Sequence, residues 1–354
     1  MESFFASPEM QICRRFREAC AGTGSTIIHR PPGVDPAYQF ASSAASGLLS
    51  APRHLEARFL YDAEGSLLFE RITQQPEYYL TRTETSILAA HASGIRAITG
   101  PVSLVELGSG SSLKTDLLMH AWLEQAPNAC YVPVDVSDGA LADACDRITA
   151  RFPQVRVIGV NSEYQDAFPL LPLLSPSLVL FLGSSIGNFT VPEMSRFLAA
   201  LASSLQPADF FLVGVDLVKD QKLLEDAYND AAGATANFTR NLFARMNREL
   251  GSSVDTQAIE HLARYEAGRE QIESFAYFAS QQTLFFAPID RHFVIPQGEM
   301  VQVEISRKFR LEQFLPYLER FGFITQQVFV DERRWFALVL LRRAPRYYGC
   351  RGRL

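Results

Sequence analysis

The chain has 354 residues, 47% of them hydrophobic and 20% charged, with a formal net charge of −6 and a pI near 5.6. That length and apolar share suffice for one large core or two linked ones, while the acidic balance removes the electrostatic case for binding nucleic acid or an anionic membrane. No apolar run approaches the ~18 residues that suggest a membrane span, the N-terminus has no apolar signal core, and the cysteines (Cys13, Cys20, Cys130, Cys145, Cys350) show no C-x-x-C spacing, so a cytoplasmic protein with reduced thiols is expected.

Residues 1–50 are rich in Ala, Ser, Gly and Pro without a clear period and suggest a loosely built extension. From 52 to 90, helical spacing alternates with the polar aromatic segment PEYYLTRTE. Strand and helix then alternate from 102 to 216. Apolar runs at 102–107, 131–136, 155–160, 178–182 and 210–215 predict strands, and periodic segments at 114–123, 139–151 and 192–205 predict helices. Such βα repeats argue for a doubly wound parallel sheet. Beyond Asp216, residues 219–265 look helical and polar, and 271–308 look like long strands of mixed polarity. A helix at 311–321, a strand at 325–330, a DERR turn and a strand at 335–341 follow. A helix and an antiparallel closing hairpin are how methyltransferase-type sheets end. The expected organisation is therefore a Rossmann-like α/β sheet at 83–218 and 309–345, interrupted by an α+β substrate-binding insertion at 219–308. Residues 1–82 form the extension and part of the substrate domain, and 346–354 a tail. The arginines near the C-terminus (Arg342, Arg343, Arg346, Arg351, Arg353) suggest a solvated end.

The most informative stretch is VELGSGSSLKT at 105–115, followed by YVPVDVS at 131–137. A buried strand, a glycine turn, a helix and a second strand ending on Asp135 place a carboxylate where it can reach a ribose diol, and the glycines let a ligand approach the backbone. An adenosine-containing cofactor follows. The turn holds G-x-G but has Leu113 at the third glycine position of the dinucleotide motif, and no G-x-x-x-x-G-K-[ST] occurs. Glu106, Asp135 and Glu163 offer carboxylates to the sulfonium, amine and hydroxyls of S-adenosylmethionine. This favours a methyltransferase and leaves a dehydrogenase as the alternative.

The segments YDAEGSLLFERI (61–72), PEYYLTRTE (76–84), VELGSGSSLKT, PVDVS (133–137), FLGSSIGN (181–188), DLVKD (216–220), AYNDAAGATANF (227–238), NREL (247–250) and VEISRKF (303–309) stand in order. Together they resemble the histidine Nα-methyltransferase family, whose members form hercynine in ergothioneine biosynthesis. The resemblance leaves the first fifty residues and the last ten uncovered. It implies cofactor contacts at Gly108, Lys114, Asp135, Glu163 and Tyr164, and places Tyr61 near the transfer site. At 163–164 the family usually has Asp-Phe; Glu-Tyr keeps an acceptor for the adenine amine and a stacking face. Substrate contacts are implied at Tyr78, Gly183, Asn188, Tyr228, Glu304 and Ser306, with Tyr61, Asn188 and Tyr228 as the catalytic group.

The chemistry agrees with those types. A free amino acid has to be held with its α-nitrogen in line with the sulfonium methyl, about 3 Å away. Asn188 and Tyr228 offer neutral hydrogen bonds to the amino-acid end. Glu304 and Ser306, at i and i+2 of a strand, share a face and can bind the N–H and the ring nitrogen of an imidazole. Plain structural explanations exist for each: half-buried tyrosines at 78 and 228, a helix cap at Asn188, a surface lysine at 114, and a solvent-face Glu304 paired with Arg307 or Lys308. The motif context favours the functional reading. One departure bears on substrate: QIES replaces the usual RIEM, so Ser274 stands where a methionine commonly walls the pocket. Related enzymes that methylate indole amino acids lack the acid at the Glu304 position, and its retention here favours imidazole, whose N–H and ring nitrogen suit a carboxylate beside a hydroxyl.

The six histidines (29, 54, 91, 120, 261, 292) show no ligand spacing such as H-x-x-x-H, so no metal is assigned. The expectation is a cytoplasmic class I S-adenosylmethionine-dependent methyltransferase that trimethylates L-histidine. No partner chain is called for, and a monomer is the default. The rival readings are a same-family enzyme acting on tryptophan or another amine, and an inactive cofactor-binding protein.

Overall fold

The computed structural model describes residues 8–21, 25–29, 33–110, 112, 114–124 and 128–345. Leu113, Cys350 and the arginines at 346, 351 and 353 lie outside the described residues. Strands β1 (Thr26–His29), β2 (Ser103–Leu107), β3 (Ala129–Asp135), β4 (Val155–Asn161), β5 (Ser177–Phe181), β6 (Phe210–Asp216), β7 (Ile259–Glu266), β8 (Gln271–Phe278), β9 (Gln282–Phe286), β10 (Arg291–Ile295), β11 (Met300–Arg307), β12 (Phe323–Val330) and β13 (Phe336–Arg343) form three sheets. The largest has eight strands in the order β1-β4-β3-β2-β5-β6-β13-β12. Its first six strands pair in parallel, and β13 runs antiparallel to both β6 and β12.

The central strands are buried on both faces, as a sheet covered by helices requires. Alternate residues feed two apolar clusters. Leu104, Leu178, Leu180 and Leu212 belong to one, and Val105, Leu107, Val179, Phe181, Phe211 and Val213 to the other. This period of two is why these segments read as continuous apolar runs. The first cluster also takes in Leu242, Phe243, Ile272 and Phe278, so one continuous apolar core joins the main sheet to the segment between β6 and β12. In that segment β11-β8-β7 form an antiparallel sheet, and β9 and β10 a hairpin.

The predicted strands of the main sheet sit within two residues of the observed ones. Two expectations change. The described part of residues 1–50 is not a loose extension: the helix Pro8–Ala21 places Ile12 and Phe16 in the second cluster, and β1 forms the sheet edge beside β4. Four residues, of which only Ile28 is buried, are too few for a periodic signal. The helical reading of 219–265 runs too far. The helix Ala234–Leu250 stops at Gly251, whose φ of 75° is a left-handed stop, and β7 follows. The alternation of β7 carries polar residues on its open face, which hid it.

The chain steps from β2 outward to β4, then returns to β5 on the other side of β2. Strand order thus reverses between β2 and β5, and ligands of open α/β sheets bind at the carboxyl ends flanking such a point. Gly108 follows β2, Asp135 ends β3, and Gly183 lies two residues beyond β5.

Candidate active site

The cofactor side is built on the turn after β2. Gly108 has φ +71°, a left-handed conformation that suits glycine. Its N–H donates to Val134 O at 2.8 Å, and a Cβ here would stand 2.8 Å from the Tyr164 hydroxyl. Asp135 Oδ2 accepts the Gly110 N–H and Oδ1 the Ser137 N–H, both at 2.9 Å. Burial raises the Asp135 carboxyl above its ordinary value, opposed by those backbone donors. A carboxylate oxygen that accepts one bond has a further lone pair, so Asp135 braces the turn and still has capacity for a diol. The Tyr164 ring lies edge-on to Phe181, with centroids 5.2 Å apart.

Two carboxylates fall elsewhere than their expected roles suggest. Glu106 is 2% exposed and accepts from the hydroxyls of Thr115 and Tyr131. It ties β2 and β3 to the next helix. Glu163 is exposed and ion-paired with Arg58, which engages one of its oxygens. Lys114 begins a helix and is ion-paired with Glu84, a residue of the helix Tyr79–Thr99 with no exposure. Both Glu84 oxygens also accept the Gly183 N–H at 2.9 Å. A Cβ at Gly214 would lie 2.2 Å from Glu84 Oε1, so glycine in β6 makes room for this link. Glu84 had no assigned role; its one sequence signal was its place at the end of PEYYLTRTE.

The expected substrate residues come from several elements: Ser274 from β8, Glu304 and Ser306 from β11, Asn188 from the segment after β5 and Tyr228 from the segment after β6. The Tyr78 and Tyr228 rings meet edge to face at 6.1 Å. Tyr61 packs edge-on against Phe69 at 5.5 Å and Phe238 at 5.3 Å. Burial, reinforced by Glu304, lifts the hydroxyls of Tyr61, Tyr78 and Tyr228 well above their ordinary range, so all three stay neutral near pH 7. Asn188 does not cap the following helix, which begins on Thr190; its Nδ2 lies 3.4 Å from Glu304 Oε1. The Tyr228 hydroxyl donates to Ser306 Oγ at 2.7 Å. Asn188 with Glu304 and Tyr228 with Ser306 therefore form two adjacent pairs, so the residues expected at the amino-acid end reach those expected at the ring end. Ser274 stands directly opposite Glu304 in the β8–β11 register, and its buried hydroxyl has no hydrogen-bond partner among the described residues.

Glu304 is no solvent-face residue. Burial pushes its carboxyl up to about 7, and Lys308 pulls it down only in part. A carboxyl that titrates near 4.5 when unfolded and near 7 when folded binds its proton more tightly in the folded chain. Its stabilising contribution is present below pH 4.5 and lost as pH rises through 7. The stability difference between the ligand-free wild type and Glu304→Gln should thus fall across that window. Urea titrations of both proteins at a series of pH values measure it, and parallel curves would mean that the carboxyl titrates normally.

Behind the pocket lies a charged network that the sequence reading did not assign. Asp216, at the end of β6, accepts from Lys308 Nζ at 2.9 Å and the Tyr79 hydroxyl at 2.8 Å, and pairs with Lys219. Burial alone would raise its carboxyl, but Lys308 and Lys219 outweigh it and hold it below its ordinary value. Burial in turn pushes Lys219 down to about 8. DLVKD and VEISRKF were both visible as motifs, but their meeting was not.

Among the described residues no group of three or more His, Cys, Asp or Glu side chains could hold a metal ion. The donor set fits S-adenosylmethionine: an open glycine turn that a side chain would fill, a strand-tip carboxylate with free lone pairs, and a half-buried aromatic face. A parallel sheet closed by an antiparallel hairpin, carrying that turn at its switch point, is the class I S-adenosylmethionine-dependent methyltransferase fold. Residues 40–343 match the family described as histidine-specific, SAM-dependent methyltransferase, and the chain belongs to it. It is 40% identical to the histidine N-alpha-methyltransferase of Mycolicibacterium smegmatis over 84% of this chain and 93% of that one. It is 36% identical to the enzyme of that name from Mycobacterium tuberculosis, over 83% and 92%. Ergothioneine biosynthesis protein 1 of Neurospora crassa is 32% identical over 74% of this chain and 30% of its own length. The chain is thus an S-adenosylmethionine-dependent enzyme that methylates histidine.

Proposed function

We propose that this chain trimethylates the α-amino group of L-histidine to hercynine, the first step of ergothioneine biosynthesis, as a cytoplasmic monomer. Among the described residues no helix is long and apolar enough to cross a membrane. Residues 219–308 carry most of the substrate side, with Gly108, Lys114, Asp135, Tyr164 and Glu163 on the cofactor side.

The observation that carries this reading is the grouping of Glu304, Ser306, Asn188 and Tyr228 at one place. When bound, S-adenosylmethionine supplies an electrophilic methyl on a sulfonium. Asn188 and Tyr228 hold the amino-acid end, and Tyr61 and Tyr78 wall the transfer site with neutral hydroxyls. A neutral clamp suits a reaction in which positive charge passes to nitrogen. Glu304 and Ser306 receive the imidazole. No strong base is required, because a substrate amine, which titrates at about 8 at a chain terminus and higher in a free amino acid, loses its proton to solvent before transfer. Each methylated amine can deprotonate again until the third methyl leaves a fixed cation.

The expected result is therefore accumulation of the trimethylated product, with dimethylhistidine a good substrate in its own right. Mass spectrometry of products from a panel of free amino acids with cofactor tests both the substrate and the count. Turnover that stalls at one methyl despite excess cofactor would mean that the pocket cannot rotate the nitrogen. Turnover on another amino acid in preference to histidine would overturn the substrate placement.

A further inference from the structure

Ser306 Oγ has two lone pairs and one hydrogen. One lone pair accepts the Tyr228 hydroxyl at 2.7 Å and the other accepts Lys308 Nζ at 2.9 Å. Lys308 is fully buried, and its three hydrogens go to Ser306, to the Tyr228 hydroxyl oxygen at 3.0 Å and to Asp216 Oδ2 at 2.9 Å. Tyr228 accepts from the lysine and passes its own hydrogen to Ser306. What remains at Ser306 is a single O–H hydrogen, and among the described residues no acceptor receives it. The charge on Asp216 does not need Lys308 alone, since Lys219 and the Tyr79 hydroxyl also hold it.

We propose that Lys308 is a positioning residue that makes Ser306 an obligate hydrogen-bond donor and thereby selects the bare nitrogen of the substrate's imidazole. Glu304, two residues away on the same strand face, supplies the matching acceptor for the ring N–H. The inference rests on the imidazole placement given under Proposed function. A neutral imidazole has one N–H and one unprotonated nitrogen, so a fixed donor beside the Glu304 carboxyl recognises both and leaves a ring without the bare nitrogen unmatched. With Lys308 removed, a lone pair of Ser306 is released and its hydroxyl can rotate, so the donor is no longer fixed.

The test compares L-histidine with the 2- and 3-linked pyrrolylalanines, whose rings keep an N–H but carry C–H in place of the bare nitrogen. Wild type, Lys308→Met, Ser306→Ala and the double variant are assayed for kcat/KM on each, with S-adenosylmethionine affinity by calorimetry as the check on folding. Wild type should prefer histidine by at least about 10²-fold, as sites built around a polar partner do. In Lys308→Met the preference should fall by at least about tenfold toward that of Ser306→Ala, and the double variant should lose no more than the singles, since the two act as one unit. Loss of activity by the same factor on all substrates, with the preference intact, would make Lys308 a structural residue and overturn the role. A wild type without the preference would instead overturn the imidazole placement, and the lysine's role with it. Should the methionine variant lose cofactor binding, Lys308→Met combined with Asp216→Asn, which removes the carboxylate left short of a partner, is read the same way: a preference below wild type supports the role, and an unchanged preference overturns it.

Discussion

Replacing Glu304 with alanine should lower kcat/KM for L-histidine by at least about 10²-fold, or roughly 2.7 kcal/mol of transition-state stabilisation, while leaving S-adenosylmethionine affinity intact. The carboxyl sits beside Asn188 Nδ2 and directly opposite Ser274, on the second sheet and away from the glycine turn. Truncation therefore leaves the imidazole N–H without its acceptor, and an unpaired group in a closed site accounts for discrimination on this scale. Relative activity on tryptophan should rise, because the truncated side chain at 304 and the small Ser274 opposite it leave width for the larger indole ring. Steady-state kinetics on both amino acids decide the matter. Unaltered histidine kinetics would show that Glu304 does not touch the ring.

Asp135→Ala should weaken S-adenosylmethionine binding by about tenfold or more, since hydrogen bonds to a charged acceptor contribute about 1.5–3 kcal/mol. Histidine affinity measured at saturating cofactor should change far less. Two effects combine in the structure. The carboxylate loses its capacity for the ribose hydroxyls, and the N–H groups of Gly110 and Ser137 lose the acceptor that shapes the turn. Asp135→Asn keeps the shape of the side chain but gives up one acceptor, and should fall between the wild type and alanine. Calorimetric titration separates the three, and an unchanged affinity for the alanine variant would remove the ribose assignment.

Two kinds of information meet in this site. The parallel strands β2 to β6 were legible because burial on both faces leaves an uninterrupted apolar run, and the glycine turn because only a few residue types satisfy its geometry. Gly108 and Asp135 could be singled out on those grounds alone. The pairing of Glu304 with Ser306 was legible too, since the two-residue period of a strand puts them on one face whatever surrounds them. Glu106 and Asp135, by contrast, look alike in sequence. Only the approach of Thr115 and Tyr131 commits the first to the core and leaves the second at the rim. Likewise, nothing in the sequence near Glu163 records its ion pair with Arg58, 105 positions away.

What the sequence by itself determined is therefore local: the strands with their two-residue period, the turn, the strand-tip carboxylate, and the family through its ordered motifs. What only the tertiary structure decided is which charges meet. Gly183 reaches Glu84 across 99 positions, Asn188 reaches Glu304 across 116, and Lys308 reaches Tyr228 across 80. The same holds for β1, whose few residues become a strand only when β4 offers its open edge. Local pattern depends on backbone geometry that repeats every two or about four residues, so neighbours in sequence reveal it. A buried hydrogen bond depends on where two distant segments are packed, and no period in the chain records that.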